Sequence, residues 1–285
     1  MPLKKQVVKK HVNKANSIIR AGWNLKSVWA LRLMGHLASR IRMNDKNFKT
    51  YKILLTEILG TKYSGRDLKQ LETEAKNIIR HPITFYENET RSVTYPLFSM
   101  CAIDAGTGYV ELRFDAGLKP HLLELKSNFT SYELTELLTL QSVYSQRLFE
   151  VLMSYRYLSQ GFIDLTLEEL YETLSVPASF KTNFANFRRR VLDQAEKEIY
   201  GLSLKYCAKP LASGRGGKVS AVRFLFDEKL IRAELQKQAS KCYHGKYDKG
   251  KLPCEPPEKI AKCEICVTQP WHVKERKPKS RQMEL

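Results

Sequence analysis

Between residues 142 and 226 the sequence sets out helix, short strand, helix, helix and hairpin in one order, and that order leaves few folds open. The run Ser142–Gln160 is amphipathic and leads into a short apolar strand, Phe162-Ile163-Asp164-Leu165. Thr166 to Val176 has helical periodicity and stops at Pro177, because the residue before a proline is pushed out of the helical region. A third helix carries Phe184, Phe187, the triplet Arg188-Arg189-Arg190, Val191 and Leu192. The β-rich runs Leu202–Cys207 and Val219–Phe226 flank Ser213-Gly214-Arg215-Gly216-Gly217-Lys218, a glycine-rich hairpin tip. Helix, turn, helix and basic hairpin make a winged helix, which lays one helix in the major groove and its wing on the flanking backbone. The sequence therefore predicts a binder of duplex DNA.

The faces of the third helix follow from a repeat of about 100° per residue. Phe180, Phe184, Phe187, Val191, Leu192, Ala195 and Ile199 share one sector, the side expected to pack on the domain. Thr182, Asn183, Asn186, Arg189, Arg190 and Asp193 fall opposite, where a groove would meet them. Arginine pairs bidentately with guanine and asparagine with adenine, so Asn183, Asn186, Arg189 and Arg190 are the expected base readers. Arg188 lies at the edge of the apolar side and is expected to reach a phosphate or to hold a carboxylate inside the domain. Lys209, Arg215 and Lys218 are expected on phosphate or in the minor groove. An isolated arginine triplet would read as a solvated face; the surrounding helix–turn–helix and wing make it a reading face.

A fainter copy of the same pattern precedes this one. Lys26–Met43 has a helical apolar face, Phe48–Leu59 reads as a strand running into a short helix, and Arg66–Arg80 is a clear helix with Pro82 just beyond it. Strands are expected at Ile83–Glu87, Val93–Ile103 and Tyr109–Phe114, the last two joined by the turn Asp104-Ala105-Gly106-Thr107-Gly108, and a short helix at Gly117–Leu125. The Arg66–Arg80 helix would present Arg66, Lys69, Gln70, Thr73, Asn77 and Arg80 to DNA. Glu72 and Glu74 on the same helix weaken that field, and the alternative is a helix that supports the fold or a subunit contact. The expected fold class is α+β: two tandem winged-helix domains with a basic, largely flexible C-terminal tail. The expected divisions are a basic N-terminal segment, 1–22; a first winged helix for dimerisation and DNA binding, 23–126; a second as the main DNA-binding domain, 127–230; and a tail rich in Cys, Pro and Lys, 231–285.

Charge agrees with a polyanionic partner, at +18 overall. It is concentrated at the ends: residues 1–50 hold 12 Lys/Arg against Asp45 alone, and residues 229–285 hold 14 against 7 acids, while the middle is nearly neutral. The inner arginines must therefore act as local clusters. No stretch reaches about eighteen consecutive apolar residues and no signal-peptide core opens the chain, so a cytoplasmic protein with no membrane partner is expected. Enzymatic patterns fail. Gly214 to Lys218 lacks phosphate-loop spacing, since Ala212 stands where the first glycine must be and Val219 follows Lys218. The six histidines are scattered, none two residues from another, unlike the metal-binding pair of DNA-nicking proteins. No catalytic cofactor is expected. One metal remains open: Cys263-Glu264-Ile265-Cys266, with Cys242 and Cys254 and with His244 and His272 also within reach in sequence, would supply four thiolate or imidazole ligands for a structural zinc in the tail, although the spacing matches no standard finger. Cys101 and Cys207 lie in expected strands and read as small buried residues.

Three stretches together resemble a known family. They are Phe129-Thr130-Ser131-Tyr132 through Ser142-Val143-Tyr144-Ser145-Gln146-Arg147-Leu148-Phe149-Glu150; Phe187 to Leu192 with Ala195 and Glu198-Ile199; and Asn13, Asn16 and Ile18-Ile19 leading to Trp23-Asn24-Leu25. Over about residues 7–228 the chain resembles the theta-type plasmid replication initiators that bind iterons through two tandem winged helices. The resemblance implies origin direct repeats as the duplex target, an operator inverted repeat bound by a dimer for autorepression, and a host replication initiator and helicase as partners. It also implies that a monomer grips one repeat with both domains. The alternatives are a winged-helix transcriptional regulator without a replication role and, from another class, a metal-dependent DNA-nicking enzyme.

Overall fold

The computed structural model describes residues 10–22, 27–42, 45–80, 82–88, 90–123, 125, 127–212 and 217–240. Strand β1 (His11–Ala15) runs into the short helix α1 (Asn16–Arg20), and helix α2 follows at Val28–Ala38. Ser27 starts α2 by accepting the Trp29 N–H at 3.2 Å, which satisfies one of the donors that a helix leaves open at its first turn. After β2 (Tyr51–Leu54) and α3 (Leu55–Leu59), helix α4 spans Gly65–Arg80. Its start is fixed by a reciprocal pair: the Asp67 carboxylate accepts the Ser64 N–H at 2.7 Å, and Ser64 Oγ accepts the Asp67 N–H at 3.4 Å.

Strands β3 (Ile83–Asn88) and β4 (Arg91–Tyr95) form a hairpin of their own, while β5 (Phe98–Asp104) and β6 (Tyr109–Phe114) join β2 in a sheet ordered β2-β6-β5. The single strand expected over Val93–Ile103 is thus two strands in two sheets. Pro96, which has no N–H to give a ladder, sits at the break. The expected helix at Gly117–Leu125 is a 3-10 turn, Ala116–Leu118, followed by α5 (Lys119–Leu122).

Past residue 126 come β7 (Phe129–Glu133), α6 (Leu134–Thr139) and α7 (Val143–Met153), whose cap Ser142 accepts the Tyr144 N–H at 3.2 Å as Ser27 does for α2. Helix α7 ends at Met153 rather than Gln160, and residues 154–161 turn into β8 (Phe162–Thr166). Helix α8 (Leu167–Thr173) opens on a capping box between Thr166 and Glu169. Then come α9 (Ala178–Lys181), α10 (Phe184–Phe187), a π turn at Arg188–Leu192 and α11 (Asp193–Ile199). Strand β9 begins at Cys207, where the expected strand would have ended, and runs to Ala212; β10 is Val219–Leu225. Helix α12 (Glu228–Ser240) takes up residues 231–240, which the sequence assigns to the tail.

Each half therefore repeats helix, strand, helix, helix and two strands. The second sheet, ordered β8-β10-β9, matches the first position for position. The fold is α+β with two tandem winged helices. What the sequence does not foresee is how the halves are joined. β1, inside the expected basic N-terminal segment, pairs antiparallel with β7 from His11↔Glu133 to Ala15↔Phe129. Behind this ribbon lies a buried ionic group. Lys14 Nζ donates to Glu150 Oε1 at 2.5 Å, Arg147 Nη1 to Glu150 Oε2 at 3.2 Å, and the Tyr132 hydroxyl to Glu150 Oε1. Arg147 Nη2 also donates to the carbonyls of Ile19 and Ala21, at 2.8 and 3.0 Å. Lys14, Arg147 and Glu150 are each no more than 2% exposed. Burial alone would raise the Glu150 carboxyl, but Lys14 and Arg147 hold it below the usual range, so it stays ionised.

Candidate nucleic-acid interface

Phe180 to Ile199 are placed on one helical wheel by the sequence, and they do not form one α-helix. Asn183 has extended backbone (φ −144°, ψ 113°), and its side-chain oxygen accepts the Ala185 N–H at 2.8 Å. It is the cap of the recognition helix, and Thr182 closes the short helix before it, its hydroxyl donating to the Ser179 carbonyl at 3.2 Å. Both residues are exposed, and both use their oxygens to shape the turn.

Within the recognition helix the Asp193 N–H bonds to the Arg188 carbonyl, an i to i+5 closure that admits one residue more than an α turn. This insertion defeats a helical wheel drawn at a constant angle. In an α-helix residues 188 and 193 would point about 140° apart. Here Arg188 Nε meets Asp193 Oδ1 at 3.4 Å, so Arg188 does hold a carboxylate of its own domain, a partly buried one. Phe187, Val191 and Leu192 stay buried, which turns Arg188, Arg189 and Arg190 all outward. Arg189 Nη2 lies 3.5 Å from Asn186 Oδ1, and the Arg190 guanidinium stands 5.5 Å from the Phe180 ring centre. Asn186, Arg189 and Arg190 thus form one outward cluster, with Arg188 set to its side. Beneath it, burial and the neighbouring Asp193 push the Glu196 carboxyl up to about 7, against the pull of Arg188.

The wing is the β9–β10 hairpin, with register Val219↔Ala212 to Leu225↔Cys207 and a shift between Val219 and Ala221. Lys218 is exposed at the base of the tip; Arg215 lies outside the described residues. Lys209 is not a tip residue. It sits mid-strand opposite Arg223, and its ammonium pairs with Glu234 of α12 at 2.9 Å. The strand starts later than expected, which moves Lys209 back from the tip, and a helix that the sequence does not separate from the tail supplies its partner.

In the first half the corresponding helix is α4. Arg66, Lys69, Gln70 and Thr73 are exposed on it, Asn77 is half-buried, and the Arg80 side chain lies outside what the structure describes. The Thr73 hydroxyl donates to the Lys69 carbonyl at 2.9 Å, so it is engaged within the helix. The wing here is the tight β5–β6 turn, and its chemistry is reversed. Asp104 accepts the N–H groups of Gly106 and Thr107 at 2.9 and 3.1 Å, and the Thr107 bonds hold its carboxyl below the usual range. Residues 104–109 contain no Lys or Arg.

Among the described residues no group of three or more His, Cys, Asp or Glu could hold a metal, and no helix is long and apolar enough to cross a membrane. Cys242, Cys254, Cys263 and Cys266 lie outside the described residues. Burial pushes the thiols of Cys101 and Cys207 up to about 11 and about 12, so both stay protonated at neutral pH.

Comparison with known proteins gives a consistent picture. The family described as Initiator Replication protein, WH1, matches residues 11–153, and the one described as Initiator Rep protein, WH2, matches residues 166–226. An uncharacterized 27.6 kDa protein of Escherichia coli is 22% identical over 202 residues, covering 66% of this chain and 84% of its own length. Among solved structures, the crystal structure of Pi initiator protein in complex with iteron DNA superposes with a TM-score of 0.59 at 20% identity, covering 77% of this chain and 98% of that chain. The WH1 match runs to the last residue of α7, the helix that serves as first helix of the second winged unit.

Proposed function

Because the chain belongs to the initiator replication proteins and carries both of their winged-helix domains in order, we propose that it starts plasmid replication by binding direct repeats at the origin as double-stranded DNA. The observation that carries this reading is the outward cluster of Asn186, Arg189 and Arg190 on the recognition helix beside a hairpin wing. In this proposal Arg189 and Arg190 pair with guanine edges, Asn186 reads an adjacent base, and Lys218 and Arg215 lie on the backbone. Arg188 gives up Asp193 for a phosphate. In WH1, Arg66, Lys69 and Gln70 make the weaker set of contacts. The likeness to an initiator crystallised on iteron DNA supports the choice of repeated sites. The protein acts by binding, with opening of adjacent duplex, recruitment of a host initiator and helicase, and autorepression as a dimer through WH1. The tail adds sequence-independent attraction to phosphate, with zinc at its four cysteines as a separate option.

The test is footprinting of the purified protein on DNA flanking its own gene. Protection of several direct repeats beside an AT-rich stretch is expected. Protection of a lone operator, with no repeats and no origin activity from the cloned region, would leave a transcriptional regulator instead. Nicking of supercoiled DNA carrying the same region would replace binding by catalysis.

A further inference from the structure

Helix α1, the turn before β7 and the residues after α7 enclose a groove of about 950 Å³. It lies away from the wing. β10 leaves the wing at Val219 and ends at Leu225, which pairs with Phe162, and the groove residues 153–158 precede that strand. At about 3.3 Å per residue, the seven residues of β10 put about 20 Å between the two ends of the sheet. The groove therefore lies toward the end of the second sheet opposite the wing.

Its lining combines two features seldom left together on a surface. The first is apolar exposure: Tyr157 is 84% exposed, Phe129 43% and Leu158 37%. The second is a pair of arginines without counter-ions. Arg20 spends Nε and one Nη2 hydrogen on Ser154, at 3.0 and 2.8 Å, and its guanidinium lies 3.8 Å from the Tyr155 ring centre. Arg156 donates Nη1 to Met153 Sδ at 3.2 Å and lies 4.4 Å from the Tyr157 ring centre, and its buried Nε has no hydrogen-bond partner. Among the described residues neither guanidinium meets a carboxylate. A half-buried arginine that contacts only carbonyl, hydroxyl and sulfur acceptors is short of an anion.

We propose that this groove docks an acidic segment of a partner protein, its carboxylates on Arg20 and Arg156 and an apolar side chain between Phe129, Tyr157 and Leu158. Each guanidinium lies close over a tyrosine ring and keeps terminal N–H groups that no carboxylate takes among the described residues, the donors that a carboxylate partner would meet. Each arginine takes one face of its tyrosine from a stacking base, so the groove suits a peptide better than single-stranded nucleic acid. The volume, at the upper end of the range of about 300–1,000 Å³ for ligand pockets, accommodates a short segment and not a domain. The surface is separate from the duplex-reading elements, so DNA and the acidic partner are held at once.

The test uses the full chain and two fluorescent probes, a peptide of alternating glutamate and leucine and an oligo-dT strand, read by anisotropy at physiological salt. The variants are Arg156→Glu, Tyr157→Ala and Arg156→Lys, with Arg113→Glu on the WH1 sheet as a matched charge reversal elsewhere. Peptide affinity is expected to fall about tenfold in Arg156→Glu, which is about 1.4 kcal/mol. Smaller losses are expected in Tyr157→Ala and Arg156→Lys, and less than about twofold in Arg113→Glu. Duplex binding measured on the same samples stays unchanged, which shows that the variants are folded and keeps this site distinct from the reading of repeats. No binding of the peptide, equal loss in Arg113→Glu, or loss confined to oligo-dT would each overturn the proposal.

Discussion

The first winged helix closes its β5–β6 turn on Asp104, while the second carries Lys218 at the foot of a glycine-rich, arginine-bearing tip. The two domains share the order of their three-stranded sheets, and the first adds the β3–β4 hairpin. The difference lies in what each puts where DNA would come. WH1 offers a continuous sixteen-residue helix of mixed charge and an acidic turn. WH2 offers a helix interrupted by a π turn that throws three arginines outward. Duplicated architecture thus leaves room for divided labour: one copy suited to reading sequence, the other to lighter backbone contact or to a subunit interface.

The hardest way to break the comparison is to remove what holds the halves together. Glu150→Gln leaves Lys14 and Arg147 buried without their anion and should cost about 3–5 kcal/mol. Urea denaturation should show one transition moved for both domains. A loss confined to one of two separate transitions would mean that the domains are energetically independent.

A second prediction sets the domains apart by pH. His36 in WH1 is buried, and its nearest carboxylate oxygen, on Glu57, is 4.0 Å away, too far for a hydrogen bond. Burial first, then the nearby Arg40, lowers its pKa from 6.5 to about 4. The unfolded chain takes up that proton first, so WH1 loses stability as pH falls from about 6.5 to about 4. Glu196 in WH2 is shifted the other way, to about 7. Its contribution is fully present below about 4.5 and is lost as pH rises through about 7. Each shift corresponds to about 3 kcal/mol. Hydrogen exchange followed domain by domain should show opposite slopes, with His36→Gln flattening the first and Glu196→Gln the second. Parallel slopes in both domains would contradict these environments.

The smallest effects sharpen the division of labour. Arg189→Ala or Arg190→Ala should cost about 1–3 kcal/mol on the cognate site and less on scrambled duplex. Arg66→Ala or Lys69→Ala in α4 should cost less than about 1 kcal/mol and equally on both. Competition binding at fixed salt decides, and a loss of specificity from α4 as large as that from the arginine cluster would make the two domains equal readers.

The second winged helix is legible in the sequence because its punctuation is local: Pro177 stops a helix and glycines mark the tip. The joint between the domains is not. His11–Ala15 has no clear alternation, and its partner strand lies more than a hundred residues away. Nothing in the sequence ties Lys14 to Glu150, 136 positions apart; ionised groups are seldom fully buried, and only the fold brings these into one neutralising group. Base-facing positions were partly legible. The arginine triplet is visible, but a wheel of constant pitch cannot anticipate a π turn or show that the Asn183 side-chain oxygen caps the helix. Lys209 was misplaced because its partner Glu234 belongs to a helix that composition does not set apart from the tail. The family likeness rests on both: Arg147 and Glu150 are buried in the joint, while Phe187 to Leu192 belongs to the reading helix.

That joint also sets an order of events during synthesis. Lys14 finds its anion only when Glu150, 136 residues later, has left the ribosome, which at about 5–20 residues per second is on the order of ten seconds. Until then the first strand lacks its β7 partner, and the first domain exposes an unpaired strand edge and an uncompensated ammonium. The N-terminal domain must therefore wait for the first helix of its neighbour, and the nascent chain is most exposed to chaperones, and to pairing with another copy of itself, during that interval.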